Sequence, residues 1–298
     1  MGIHDYRCRD PFRVLACWFV FSAGAVQGED SGLFGYQQLS YAGSQVIEIT
    51  DYPEDEMGEI TVPAEIDGLS VVWIGQSAFD DCSGLTAISL PSTITLIQPS
   101  AFERCTALES INFPDGLRSI GARAFSQCHQ LGSIELPDTL VTIGDDAFAA
   151  CTSIETVDIP AGVGTIGDSP FAGCSQLQSI TVEAGNSAFS SQGGVLFSAG
   201  GTVLKQYPAG RAGAYAMPAG VLRIDESAFQ SSAGLAAVTL ASSVIEIGPM
   251  AFARCANLVE VVFNEGLTKI GHNGFSYCTS LCLLYTSPSP RDKIHDLV

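Results

Sequence analysis

Five cysteines, Cys82, Cys105, Cys128, Cys151 and Cys174, stand 23 residues apart, and Cys255 and Cys278 resume the same phase after a longer gap. A thiol can ligate a metal, form a disulfide or serve as a small apolar side chain, and the spacing weighs among these. Metal ligands must converge on one point, whereas one thiol per 23 residues is nothing like a CxxC pair. If each interval is one turn of a coil, the thiols instead form a line, with neighbours about 4.8 Å apart where strands pair. That separation would permit disulfides, so they stay open, but buried thiols acting as small hydrophobes are the favoured reading. Ser232 holds the same phase, as expected if a small residue suffices there.

Other chemistry is thinly represented. Residues 162–167 spell GxGxxG, but the last glycine belongs to a recurring turn and no amphipathic helix follows, so no dinucleotide cofactor is expected. The four histidines, His4, His129, His272 and His295, stand near no serine or carboxylate that would make a catalytic pair. We therefore expect no enzyme, no cofactor and no metal. The net charge is −19, which repels a phosphate backbone and argues against nucleic acid. Basic peptides, other proteins, cations and neutral glycans remain open as partners.

What positions these residues is a repeat. Phenylalanines recur at 79, 102, 125, 148, 171, 229, 252 and 275, every step being 23 residues except one of 58. The unit reads IGxxAFxxCxxLxxIxLPxxL. A period in this range marks a solenoid, whose units bury their apolar faces only against each other. Within each unit, residues such as Leu85, Ile88 and Leu90 point inward and form a strand. Equivalent strands are expected at 108–113, 131–136, 154–159, 177–182, 235–240 and 258–263, stacked into a parallel sheet along one face. A second inward isoleucine follows, then a residue that is usually glycine. Gln98 and Asp225 replace that glycine, so a positive φ is not obligatory there. The Ala-Phe pair is placed on a short turn or 3₁₀ segment, with the rings filling the interior.

Alternate side chains of stacked strands form one outward surface. It gathers Glu109, Asn112, Glu135, Glu155 and Asp158, and like charges a strand apart repel. Solubility accounts for them, and so does a binding face for a basic partner or Ca²⁺. The 58-residue step contains an excursion at 183–217, in which residues 193–197 and 202–207 predict a hairpin. It carries Lys205 and Arg211. Two readings stand: a protruding ligand loop, or an internal hairpin that patches the sheet.

The ends read differently. Residues 1–28 look like a secretory signal, with arginines before an apolar run too short to span a bilayer comfortably. A signal anchor or a misplaced start codon would also fit. Residues 29–72 lack the repeat phase, show alternation at 45–50 and 59–63, and are expected to cap the open end of the first coil. Coils run over 73–281. Residues 282–298 leave the pattern, and 282–292 resemble one reading frame of a sequencing-library adapter. We expect that this tail is foreign and that the natural chain continues with further coils; the same eleven residues in the source locus would defeat this.

The motif over 73–281 resembles the BspA-like leucine-rich repeats, and residues 66–75 resemble the family's lead-in. The excursion resembles an insertion often seen in such arrays. The resemblance implies a right-handed superhelix, β-rich, with a parallel sheet on one face and short turns or 3₁₀ segments on the other. It implies an extracellular, secreted or cell-surface protein used in adhesion and protein binding, with no catalytic residues. The expected partner is a protein or glycan ligand, and contact with a membrane would be only through an anchor beyond residue 281. A structural spacer and the sensing ectodomain of a receptor are the alternatives.

Overall fold

The computed structural model describes residues 33–286; the expected signal at 1–28 and residues 287–298 of the expected foreign tail lie outside them. Among the described residues the regular secondary structure is all strand. Strands pair in parallel with the register of the sequence period: Thr156 lies opposite Ser179 and Val157 opposite Ile180, and Ala237 lies opposite Glu260. One 23-residue unit is therefore one turn of a solenoid, and each residue sits beside its own equivalent in the next turn.

Three faces result. The first carries the expected strands, with rungs at Gly58–Thr61, Leu85–Ser89, Ser110–Ile111, Thr156–Ile159 and Ser179–Val182, then Gly213–Ala216, Leu235–Thr239, Glu260–Phe263 and Leu283–Thr286. The expected strand at 131–136 is absent, which interrupts the ladder. Gly132, with no side chain to hold the pleat, and Glu135, stacked near Asp158, weaken pairing there. The second face is a ladder of two-residue strands at the repeating isoleucines, Leu96–Ile97, Ser119–Ile120, Thr142–Ile143 and Thr165–Ile166. A single sheet face was expected, so this ladder is an addition.

The third face is built of consecutive i→i+3 turns, not 3₁₀ helix. The residues two before and two after each ring adopt left-handed conformations, as at Ser100 and Arg104 (φ 57° and 62°) around Phe102. This alternation leaves the ring's own N–H pointing along the solenoid, where it donates to the next turn: Phe79 to Ala101 O at 2.8 Å and Phe102 to Ala124 O at 2.7 Å. The glycine after the repeating isoleucine has no positive φ. A Cβ at Gly144 would stand 2.4 Å from the Ala122 backbone nitrogen, so the residue is small because the neighbouring turn passes against it.

The rings stack in single file, with centroids 4.9 Å apart for Phe79–Phe102 and 5.2 Å for Phe125–Phe148. Beside each ring lies the cysteine, free and buried as far as Cys255. Its thiol donates to the ring residue's carbonyl in the preceding turn, as from Cys128 Sγ to Phe102 O at 3.2 Å and from Cys151 Sγ to Phe125 O at 3.1 Å. The thiol is thus an internal hydrogen-bond donor as well as a hydrophobe.

The stack has two beginnings. Tyr52 precedes Phe79, with centroids 5.2 Å apart, and Tyr207 precedes Phe229 at 4.8 Å. Each tyrosine directly follows an antiparallel hairpin, Gly35–Tyr41 with Ser44–Asp51 in one case and Val195–Ser198 with Val203–Gln206 in the other. Of the two readings of the excursion, the internal one holds. Val195, Leu196 and Phe197 are all buried, and a third strand, Phe189–Gln192, extends the hairpin.

Candidate functional site

The first face carries a groove of about 830 Å³ across four successive turns. Its position follows from strand alternation: Leu85 and Ile88 turn into the core, while Ala87 and Ser89 turn out and form part of the floor. The rim comes from Glu59, Asn112, Asp115, Glu135 and Asp138. Asp115 and Asp138 each follow the proline that ends a rung, which sets them at one edge, a turn apart. Every ionisable residue lining the groove is a carboxylate, so its field attracts cations and basic groups.

Only part of the expected set is brought together. Asn112 and Glu135 line the groove. Asn112 is also tied to the fold, since its side chain accepts from Leu90 N at 2.7 Å and donates to Leu90 O at 2.9 Å. Glu109, Glu155 and Asp158 are exposed on the same face but outside the groove, and Asp158 accepts a hydrogen bond from the Thr181 hydroxyl. The basic pair is engaged elsewhere. Lys205 is only 14% exposed and bridges Asp225 at 2.5 Å and Asp168 at 3.5 Å. Arg211 donates to Gly193 O at 2.7 Å and lies over the Tyr207 ring.

Glu59, Asp115 and Asp138 were not anticipated. The two aspartates share the Pro-Asp dipeptide at 114–115 and 137–138, a signal the sequence offered; Glu59 was hidden in the segment read as a cap.

Carboxylates elsewhere serve the fold. On the turn face Arg104 ties Asp81 at 2.8 Å and Asp80 at 3.0 Å, and Arg123 reaches the buried Glu103 at 2.7 Å. Burial raises the Asp80 carboxyl above its ordinary range, while the hydrogen bond from Arg104 lowers that of Asp81. Glu48 in the first hairpin is buried and raised for the same reason, and accepts from Gln37 at 2.6 Å and Gln98 at 2.5 Å. The thiols do not converge, each being turned to a carbonyl of the preceding turn. Among the described residues no group of three or more His, Cys, Asp or Glu is placed to hold a metal ion.

The sequence profile of the BspA type leucine rich repeat region matches residues 72–193 and 214–294, in six copies. The chain belongs to the BspA-type leucine-rich repeat family. Among solved structures, a leucine-rich repeat protein from Eubacterium ventriosum is 25% identical, with a TM-score of 0.72 over 84% of this chain and 70% of that one. The pneumococcal vaccine antigen PcpA is 22% identical, with a TM-score of 0.65 over 88% of this chain and 81% of its own. A leucine rich cell surface protein from Faecalibacterium prausnitzii is 24% identical, with a TM-score of 0.51 over 90% and 96%. At such identities these likenesses speak for the fold. No curated protein matches the chain.

Proposed function

We propose that this BspA-type repeat chain is a secreted or cell-surface binding scaffold that presents the groove on its first face to a protein or glycan partner. The groove carries the reading: a repeated strand ladder sets outward side chains in rows, and here the rows enclose a recess whose ionisable groups are all acidic. Such a surface suits recognition. It offers no nucleophile beside a base, so on this reading the partner is bound and left unchanged. The printed descriptions of two structural relatives, a cell surface protein and a vaccine antigen, support an extracellular placement.

The test is a partner screen of the purified chain against cell-surface proteins and a glycan array, run beside two variants. The first, Glu59→Gln/Glu135→Gln/Asp138→Asn, removes groove charge; the second, Glu109→Gln/Glu155→Gln, removes charge from the same face outside it. Partners lost by the first and kept by the second support the groove. Partners bound equally by all three proteins would remove it from consideration.

A further inference from the structure

We infer that residues 183–217 form a second, internal cap, so that the described chain is two capped repeat arrays in tandem, each opening as its own cooperative unit. The observations are independent of what the groove binds.

All three faces end together and restart together. The ladder of two-residue strands stops at Thr165–Ile166, and the next one starts at Val203–Gln206. On the first face the rungs stop at Ser179–Val182 and resume at Gly213–Ala216. On the turn face the ring stack runs from Tyr52 to Phe171 and again from Tyr207 to Phe275. The apolar core divides at the same place. Leu196 belongs to the first cluster, and its neighbours Val195 and Phe197 belong to the second. One strand thus closes one interior with one side chain and opens the other with the next.

The restart repeats the start. In both places an antiparallel hairpin leads into a parallel pairing with the first isoleucine strand, Ser44–Asp51 with Leu69–Ile74 and Val203–Gln206 with Arg223–Ile224. Both hairpins are followed at once by Tyr-Pro, at 52–53 and 207–208. Both send a charged residue to the station where the next turn lacks its glycine, Glu48 to Gln98 and Lys205 to Asp225. The second tyrosine's carbonyl has no cysteine above it, because Ser232 stands there. The Gln206 amide donates to that carbonyl instead, at 3.2 Å.

Contacts across the boundary are mostly polar. Lys205 reaches back to Asp168, the Ser169 hydroxyl meets Glu226 O at 3.5 Å, and Ile180 N donates to Gly194 O at 2.9 Å. Solvent can replace such links, whereas the apolar interior within each array cannot be opened one turn at a time without exposing its neighbours. The consequence is that the distal array can open while the proximal one, with the groove, stays closed.

Hydrogen exchange of the full chain, read by mass spectrometry, decides this. Phe252→Leu loosens the second stack alone. In one cooperative unit a local perturbation is felt equally by every amide that exchanges through its opening. We expect amides in 235–263 to exchange at least tenfold faster and those in 85–182 to keep their original rates. Phe102→Leu should give the reverse pattern, and Lys205→Met should speed the second array only, by leaving Asp225 buried with Arg223 alone. Equal acceleration of both segments in any of these variants overturns the inference.

Discussion

Phe125 and Phe171 are both fully buried, but they differ in what surrounds them, and that difference gives the ring stack a measurable size. Phe125 has Phe102 at 5.1 Å on one side, Phe148 at 5.2 Å on the other and Phe113 edge-on at 5.5 Å. Phe171 has Phe148 at 5.6 Å. Cutting a buried phenylalanine to alanine costs about 3–5 kcal/mol through lost transfer energy and the cavity left behind. Each aromatic pair contributes a further ~0.5–1.5 kcal/mol beyond area. Phe125→Ala forfeits two more pairs than Phe171→Ala, so it should cost about 2 kcal/mol more, near 5 against near 3. Urea unfolding followed by Trp73 fluorescence, with Trp18→Phe in all versions, reports on the array that holds both residues. Equal costs, or a larger cost at Phe171, would refute the view that the interior is held by rings acting on one another.

The glycine after the repeating isoleucine should be irreplaceable while others are not. Gly144→Ala drives a Cβ into the Ala122 backbone and should cost about 1–3 kcal/mol, whereas Gly164→Ala meets nothing within 4 Å and should be neutral or slightly stabilising in the same urea assay. The thiols make a prediction about pH. Burial pushes Cys82 and Cys174 up from 9.0 to about 12, so in the window between those values the unfolded chain loses protons that the folded one keeps. Their contribution is whole below pH 9 and is lost as pH rises toward 12. The melting temperature should therefore fall through that range, and replacing both cysteines by alanine should flatten the fall. A thiol reagent at neutral pH should leave Cys82 to Cys255 unmodified until the chain is unfolded, and then label them without prior reduction.

How much of this was legible depends on whether side chains or the backbone carried the information. The ring, the thiol and the inward aliphatics announce themselves because each occupies one angular station per turn, and a station admits few side-chain types. The second ladder was invisible, since a two-residue strand is defined by backbone hydrogen bonds that any residue can make. The glycine station shows the boundary between the two kinds of signal. Gln98 and Asp225 showed correctly that no positive φ is required, but the close approach of the neighbouring turn appears only in three dimensions. Lys205 was misleading for a related reason. On an acidic chain an isolated lysine reads as a ligand contact, and nothing local says that Asp168 and Asp225 converge on it from either side of a boundary. The excursion was placed and its hairpin foreseen, yet its meaning lay in likeness to the start of the chain, not to the repeat. Searching for the 23-residue motif alone treats whatever breaks the phase as an interruption. Tyr52 and Tyr207 fall outside that search because each stands where a ring stack begins, with an open plane to cover and no preceding phenylalanine. A tyrosine suits such an end, since its ring continues the stack and its hydroxyl tolerates the polar hairpin beside it. The same requirement, met twice in one chain, makes the break in phase a second beginning.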